Sequence, residues 1–363
     1  MTQHAVPFLL LRGGTSRGPY FNMADLPRDR KRLAEILIAA VGGGHVNNID
    51  GVGGGAAITT KVAMLSRSTC DDADIDYLFA QVAVAERSVD FAPTCGNILV
   101  GVGPAAIEMG LIAAASGRTD VRIRAVNTGA LVTAGVRTPG GKVTYAGDLA
   151  IDGVPGTAAP VSLEFRNITG SRTGTMFPTG QRRETINGVT VTCMDVAMPM
   201  VIARADEFGL SGHESRDELD AMADFFERME SIRRIAGERM GLGEISRSVV
   251  PKFGLLAPPR SGGSFAARYF MPWNTHPTLA VTGSQCLAAC ALAPGTVAEG
   301  LMNPSGQSPV GLSIEHPLGQ LQLSVKLDRG NSFEFESASV VRTARLIARG
   351  ELMIPEQVWA GPT

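Results

Sequence analysis

The segment TCGNILVGVGPAAIEMGL, at residues 94–111, decides the fold of this chain. It is rich in alanine, glycine and aliphatic residues, so a helix formed here can be buried on all sides. A second small-residue segment, TGSQCLAACALAPGTV at residues 282–297, lies in the other half of the chain. Each segment follows short apolar stretches of strand length. The pattern predicts an α+β protein built from two similar domains, each with a central helix wrapped by a sheet.

The strands and the remaining helices are predicted from periodicity and turn residues. Strands are expected at 7–11, 61–66, 75–84, 121–126, 130–136, 159–165, 189–196, 310–315 and 321–327. Helices are expected at 29–41, 98–114 and 284–293, and in pieces over 205–240, where Ser215 has the sequence of a capped start. The polar, turn-forming AAASGRTD at 113–120 predicts a domain boundary near residue 117.

The composition excludes several classes of protein. The 363 residues carry a formal net charge of -2 and only 6% aromatic residues, which disfavours nucleic acid and anionic membranes as partners. No apolar run approaches the roughly 20 residues that cross a bilayer. The five cysteines include no C-x-x-C pair and the start MTQHAVP is polar, so reduced thiols and a cytoplasmic location are expected. The histidines lack the spacing of a local metal site, so no metal is expected.

Cys95 is the first candidate for chemistry, because it directly precedes the first predicted central helix. Unpaired N–H groups and the partial positive charge of a helix start favour a thiolate over a thiol. Gly96 and Asn97 follow it and leave backbone donors for a carboxylate. The alternative is a buried cysteine that only packs, as most free cysteines do.

Lys61 is the second candidate. In strand alternation Thr59, Lys61, Ala63 and Leu65 share one face, and a lysine among small and apolar groups is costly unless its charge is paired or its pKa falls. A lysine with a lowered pKa is a usable general base. The alternative is an edge lysine whose ammonium reaches water.

Glycine-rich loops precede both candidates. The stretch GVGGGAAITTK at 51–61 lacks the Gly-Lys-Ser/Thr ending of a phosphate-binding P-loop and does not follow an apolar strand, which disfavours dinucleotide binding. Its backbone N–H groups, including those of Gly54 and Gly55, still suit a carboxylate. The stretch RGGTSRG adds further donors from Arg12, Gly14, Thr15, Ser16 and Arg17. Solvated turns are the alternative for both stretches.

The start of the second central helix offers a third group of candidates. His276, Gly283 and Ser284 flank it and could hydrogen-bond a ligand between the two helix starts. A structural role is the simpler interpretation of His276 taken alone. Cys286 and Cys290 stand four apart in an alanine-rich helix and are expected to pack.

Taken in order, eight blocks of this chain resemble the PrpF/4-oxalomesaconate tautomerase family over roughly residues 6–350. The blocks are LLLRGGTSRGPYF, IDGVGGGAAITTKVAML, DIDYLFAQVAV, CGNILVGVGPAAIE, YAGDLAIDGVPGTAA, FPTG, EHPLG and VVRTARLI. Two positions differ from the pattern usual in the tautomerases: Thr94 stands where an asparagine precedes Cys-Gly-Asn, and Arg17 stands where GGTSKG has lysine.

The resemblance implies the diaminopimelate epimerase-like fold, with the active site in the cleft between the domains. The last strand would return to the N-terminal domain, giving domains of 1–117 plus about 337–363, and of 118–336. Lys61 and Cys95 match the family's catalytic lysine and cysteine. No cofactor is implied, the substrate is a small unsaturated carboxylate, and a homodimer is suggested.

The chemistry implied by the resemblance is the movement of a C=C bond in an unsaturated di- or tricarboxylic acid. Lys61 and Cys95 would share the two proton transfers, with their order unassigned. The substrate that fits best is 4-oxalomesaconate, an intermediate of aromatic-compound degradation; 2-methylaconitate and 3-methylitaconate are the alternatives. An amino-acid racemase with two opposed thiols is disfavoured, because Thr282 to Gln285 occupy the place of the second cysteine. A non-enzymatic binding protein is the remaining alternative.

Overall fold

The computed structural model describes residues 3–83, 86–246, 248–302, 308–328 and 333–361. They form an α+β protein of two compact units, Met1–Glu164 with Val341–Thr363, and Phe165–Val340. The first unit therefore continues well past the boundary expected near residue 117. The physical reason is strand pairing: the strand that begins at Gly117 pairs in parallel with the strand of Ile75, so it completes the first sheet instead of starting a second one.

The first unit contains a sheet whose strand order closes on itself. The order is β1-β2-β3-β4-β6-β7-β10-β18, and β18 also pairs with β1; β5 pairs with β4, and β8 with β9. The strands are β1 (Gln3–Gly13), β2 (Ser16–Asn22), β3 (Lys61–Arg67), β4 (Ile75–Ala83), β5 (Ser88–Asp90), β6 (Gly117–Ala125), β7 (Leu131–Thr138), β8 (Leu149–Ala150), β9 (Thr157–Ala158), β10 (Pro160–Arg166) and β18 (Glu334–Pro355). Strands β10 and β18 each contribute residues to both units. Residue 84, the last of the predicted strand 75–84, lies outside the described residues.

Helices cover both faces of this sheet. Helix α1 (Arg30–Val41) begins at Asp29, whose carboxylate accepts from Arg32 N, and ends at Gly42 with φ of 96°. It packs on the face that carries Val62 and Met64. Helices α2 (Gly96–Leu99) and α3 (Val102–Glu108) lie against the other face, where β1 approaches so closely that a Cβ on Gly13 would stand 2.3 Å from Asn97 O.

The first central helix differs from the single helix expected over 98–114. It is interrupted between α2 and α3, because Pro104 lacks an N–H and so cannot complete the helical bonds of the turn before it. It also ends six residues early, because Gly110 adopts φ of 72°, a conformation that terminates helices.

The second unit repeats this plan around one longer central helix. Its strand order is β11-β12-β13-β14-β15-β16-β17-β18. The elements are β11 (Glu184–Ile186), β12 (Val189–Val196), β13 (Met198–Arg204), α4 (Arg216–Asp220), α5 (Ala223–Arg239), β14 (Lys252–Ala257), β15 (Phe265–Phe270), α6 (Val281–Leu292), β16 (Val310–His316) and β17 (Gly319–Asp328). Short 3-10 turns stand at Met23–Asp25, Pro139–Gly141 and Ala205–Phe208. The capped start at Ser215 is confirmed, since Ser215 and Glu218 form a complete capping box.

The core of the second unit lies on both faces of its sheet. Every residue of α6 is buried, as the sequence predicted for a helix without a polar face. On the opposite face, α5 places Met229 and Ile232 against Val201 and Phe253. Thus each unit combines one sheet with a buried small-residue helix and an amphipathic outer helix.

Glu315 fixes the turn between β14 and β15 in the second unit. Its carboxylate is 6% exposed and accepts from the N–H groups of Arg260 at 2.8 Å, Ser261 at 2.6 Å and Gly263 at 2.9 Å. Burial alone would raise the pKa of this carboxyl, but the three donors outweigh burial and lower it. The ionised form therefore stabilises the fold.

Glu315→Gln is expected to lower the free energy of unfolding at pH 7 by about 2 kcal/mol, because a neutral amide accepts these bonds less strongly. A carboxyl whose folded pKa is lowered stabilises fully above its unfolded pKa of about 4.3, and this contribution is lost as pH falls through the folded pKa. The difference between the two proteins should therefore shrink from pH 7 to pH 3 in urea denaturation. Glu227→Gln, at an exposed position of α5, is the control. A difference that does not change with pH would contradict the assignment.

Candidate active site

Lys61 and Cys95 meet in the first unit. Lys61 Nζ lies 3.4 Å from Cys95 Sγ and 3.2 Å from Ser16 Oγ. Cys95 is 9% exposed and Lys61 is half-buried, so the pair is largely shielded from water. An amine and a thiol at this distance can each hold or release a proton toward a molecule bound beside them.

Strand alternation places Lys61 in this position. Its neighbours on the same face, Ala63 and Leu65, are fully buried, whereas Val62 and Met64 pack on the other face against α1. The face shared by Lys61, Ala63 and Leu65 is therefore confirmed. The Lys61 ammonium contacts a hydroxyl and a thiol.

Cys95 occupies the N-cap position of α2 with extended backbone angles, φ of -131° and ψ of 108°. Its carbonyl accepts from Leu99 N at 2.9 Å, which starts the helix. The N–H groups of Gly96 and Asn97 have no acceptor within the described part of the chain, although both residues are buried. Two backbone donors thus stand free beside the thiol, as the sequence predicted.

The hairpin between β1 and β2 is tied to this helix start. Asn97 Nδ2 donates to Thr15 Oγ1 at 3.1 Å, and Thr15 N donates to Asn97 Oδ1 at 3.4 Å. Gly14 has φ of 51°, and a Cβ there would lie 2.1 Å from Asn97 Oδ1. Thr15, Gly14 and Asn97 therefore hold Ser16 in place beside Lys61.

Two buried tyrosines support the site and were not predicted. Tyr77 Oη donates to Cys95 O at 3.3 Å, and Tyr20 Oη donates to Ile98 O. Burial, together with the neighbouring Cys95, raises the pKa of both phenols well above the usual value, so they remain donors. The signal that could have found them is alternation, since Tyr20 follows Ser16 by four residues along one strand.

Two polar atoms near the site are buried without a hydrogen-bond partner in the described residues: Thr94 Oγ1 and Arg17 Nε. A buried polar group without a partner costs free energy unless a ligand satisfies it. Thr94 directly precedes Cys95 in the chain.

The loop that contains Gly54 and Gly55 satisfies most of its own donors. Gly53 N donates to Val41 O, Gly55 N to Asn48 Oδ1 and Ala56 N to Thr59 Oγ1. A Cβ on Gly54 would stand 2.7 Å from Arg17 Nη2, so this glycine makes room for the guanidinium. The expectation that the backbone N–H groups of this stretch suit a carboxylate is therefore wrong for Gly53, Gly55 and Ala56, because their N–H groups already have acceptors.

Arg12 and Arg17 do not lie with Ser16. They are directly paired across β1 and β2, as Gly13 and Ser16 are, so alternation turns the two arginines to the opposite face. Arg12 Nη1 donates to the carbonyls of Gly14 and Thr343 at 2.8 and 2.9 Å. Their contact with substrate stays a prediction.

In the second unit the predicted residues have local partners. His276 Nδ1 accepts from Thr278 N at 3.0 Å, and its ring stacks edge-on against Tyr269. Ser284 Oγ donates to Val281 O within α6, and a Cβ on Gly283 would lie 2.3 Å from the Tyr269 ring. These contacts give each residue a structural role, and their binding of substrate stays a prediction.

Cys286 and Cys290 pack inside α6, as expected. Both are fully buried. Burial raises the pKa of Cys286 well above the usual value and that of Cys290 to about 12, so both are neutral thiols. Neither offers the second thiolate that a two-cysteine racemase requires.

The chain resembles curated proteins over nearly its whole length. It is 47% identical to the putative isomerase YbhH of Escherichia coli (strain K12), over 96% of this chain and 99% of the relative. It is 43% identical to the 4-oxalomesaconate tautomerase of Pseudomonas putida, over 100% and 99% of the two chains. It is 45% identical to the (4E)-oxalomesaconate Delta-isomerase of a Novosphingobium species, over 96% and 98%. No helix of the described ranges is both long and apolar enough to span a membrane.

Solved structures agree with the sequence relatives. The chain matches a methylitaconate-delta-isomerase with a TM-score of 0.83 at 30% identity, covering 99% of this chain and 97% of that one. A hydroxyproline epimerase from Agrobacterium vitis matches with a TM-score of 0.56 at 13% identity, over 96% and 92% of the two chains, which confirms the predicted epimerase-type fold. The family model of the PrpF protein matches residues 3–355. The chain therefore belongs to the PrpF family.

Proposed function

We propose that this protein is a cofactor-independent isomerase that moves a C=C bond in an unsaturated tricarboxylic acid, with 4-oxalomesaconate as its substrate. The observation that carries the proposal is the 3.4 Å approach of Lys61 Nζ to Cys95 Sγ beside the unpaired N–H groups of Gly96 and Asn97. The names of the relatives that are 43% and 45% identical support this substrate.

The reaction needs two proton transfers and no electron transfer. A base removes a proton from an acidified allylic carbon, the electron pair delocalises into a dienolate, and an acid returns a proton to another carbon. Lys61 and Cys95 supply one step each, which leaves the base protonated and the acid deprotonated. A proton passed back between Nζ and Sγ, which lie 3.4 Å apart, restores the enzyme for the next turnover. This chemistry requires no metal or organic cofactor.

The negative charge of the dienolate needs donors that are in place before the reaction. The N–H groups of Gly96 and Asn97 are fixed by the helix start, and Ser16 Oγ is held by the hairpin. Such preorganised donors stabilise a developing oxyanion without reorientation during the reaction. The Thr94 hydroxyl is a further donor for a substrate carboxylate, and it distinguishes this chain from the asparagine-containing pattern.

Proton NMR in deuterated water tests the proposal. Full-length protein is incubated separately with 4-oxalomesaconate, 2-methylaconitate and 3-methylitaconate. We expect double-bond migration in 4-oxalomesaconate, with deuterium entering at an allylic carbon. Turnover of only one of the other two acids would keep the reaction type and replace the substrate. No exchange with any of the three would refute the isomerase function.

The remaining properties follow from this proposal. The substrate is a free metabolite, so we propose a cytoplasmic enzyme. We also propose a homodimer, which rests on the family resemblance alone. Size-exclusion chromatography with light scattering determines the oligomeric state directly.

A further inference from the structure

A cavity of about 420 Å³ lies in the first unit, and the candidate catalytic pair is not among its lining residues. One wall is formed by β1 and β18 with Arg12, Thr343 and Arg345, and the other by the segment from Tyr145 to Ala158. A volume of this size is sufficient for a small organic ligand.

The second wall is a small hairpin with defined backbone bonds. Strands β8 and β9 pair Leu149 with Ala158 and Ala150 with Thr157, and Ala159 N donates to Tyr145 O at 2.9 Å. Tyr145 Oη donates to Glu108 Oε1 at 3.5 Å. The hairpin is therefore a structured wall, although Pro155, Gly156 and Thr157 are exposed.

Three arginines stand in a row across neighbouring strands, and two of them, Arg12 and Arg345, line this cavity. Arg17 is paired with Arg12 across β2 and β1, and Arg12 is paired with Arg345 across β1 and β18. Directly opposed like charges destabilise a sheet. No carboxylate pairs with any of the three within the described ranges, and Arg345 makes no hydrogen bond there. The row lacks the negative charge that would offset its repulsion.

Arg12 and Arg345 keep free donors that face the cavity. One nitrogen of Arg12 is used by the carbonyls of Gly14 and Thr343, which fixes the guanidinium and leaves its other N–H groups available. Arg345 lies beside it without competing bonds. A guanidinium group matches the two oxygens of a carboxylate. A ligand with several carboxylates could therefore bind the guanidinium groups of Arg12 and Arg345 at the same time.

The side chains of Arg12 and Arg345 lie on a different face of the sheet from the Lys61–Cys95 pair. Gly13 and Ser16 face α2, since a Cβ on Gly13 would contact Asn97 and Ser16 contacts Lys61. Arg12 precedes Gly13 along β1, and Arg345 follows Ala344 along β18, where Ala344 is paired with Gly13. The arginines therefore turn away from the thiol and the amine.

We propose that this cavity is a second binding site, for a small di- or tricarboxylate, with Arg12 and Arg345 as its anion-binding residues. The site holds its ligand without chemistry, because no nucleophile or general base lines it apart from the Tyr145 phenol. Burial and the repulsion of Arg345 lower the pKa of Arg12, consistent with a cation that lacks a partner. The proposal is independent of the isomerase reaction.

Isothermal titration of the full-length protein with tricarballylate tests the site. This saturated tricarboxylate has no double bond to move, so the measurement does not depend on turnover. We expect two bound molecules per chain for the unaltered protein. Arg345→Gln is expected to weaken one of the two sites at least tenfold, because a charge-assisted hydrogen bond is lost. Arg345 is exposed, so the variant should fold.

Arg118→Gln is the matched control, because it removes an exposed strand arginine that pairs with Asp120 away from the cavity. It should retain both binding sites. An Arg345→Gln variant that binds tricarballylate as the unaltered protein does would overturn the proposal. A parallel titration with inorganic phosphate distinguishes a carboxylate site from a general anion site. If the Arg345-dependent site binds phosphate as tightly as tricarballylate, the assignment to carboxylates is overturned.

Discussion

Lys61→Met is expected to lower kcat by roughly 10²–10⁴-fold, the contribution of a well-placed general acid or base. Methionine keeps the length and apolar stem of lysine, and the neighbours Ala63 and Leu65 are apolar, so packing is preserved. The contacts of Nζ with Cys95 Sγ and Ser16 Oγ are lost. The measurement is the steady-state rate of 4-oxalomesaconate conversion, with the folded state checked by circular dichroism and thermal unfolding.

Lys31→Met, at an exposed position of α1, is the control for removing a positive charge from the first unit. It should retain the rate of the unaltered protein. A Lys61→Met variant that is folded and turns over at a near-normal rate would remove Lys61 from the mechanism, whatever the control shows.

Cys95→Ser is expected to reduce kcat to a similar extent, because a hydroxyl releases its proton far less readily than a thiol. Serine is nearly isosteric and leaves Cys95 O, the acceptor of Leu99 N and Tyr77 Oη, unchanged. The helix start and the two free N–H groups should therefore persist. Cys70→Ser, at a half-exposed position in the same unit, is the control and should be active.

Solvent exchange in the two variants assigns the order of proton transfer. The base of the first step can remove the substrate proton even when the acid of the second step is missing. We therefore expect one variant to exchange deuterium into unreacted 4-oxalomesaconate. The other variant should neither exchange deuterium into the substrate nor form product. The variant that still exchanges retains the base. Full turnover in the Cys95→Ser variant would contradict the proposed pair.

Much of the fold was predictable from local patterns. Strands such as Lys61–Arg67, Val189–Val196 and Val310–His316 follow alternation in short apolar stretches, and α1 and α4 follow capping residues. Buried, small-residue helices were predicted from the absence of a polar face, and α6 confirms this. The extent of the first central helix was predicted wrongly, because Pro104 interrupts the helix and Gly110 ends it. The boundary near residue 117 was also wrong, because the pairing of β4 with β6 joins segments that are far apart in the chain.

The candidate site was predictable only in part. Lys61, Cys95 and Asn97 were identified from residue type and position, and Ser16 joins them in the structure. Tyr20 and Tyr77 were missed. Alternation from Ser16 could have found Tyr20, whereas the bonds of the two phenols to Ile98 O and Cys95 O depend on the tertiary structure. The donors of the loop at 53–56 were overestimated, because their acceptors Val41 and Asn48 are supplied by residues that fold back from earlier in the chain.

The sequence by itself determined the class of fold, the family resemblance and the two residues that carry the proposed proton transfers. These depend on periodicity and on motifs that are contiguous in the chain. Only the tertiary structure decided that Lys61 Nζ and Cys95 Sγ, 34 positions apart, lie 3.4 Å from each other. It also decided that Arg12 faces away from them toward a separate cavity. The reason is strand register: one residue along a strand changes the face of the sheet, and register is set by long-range pairing.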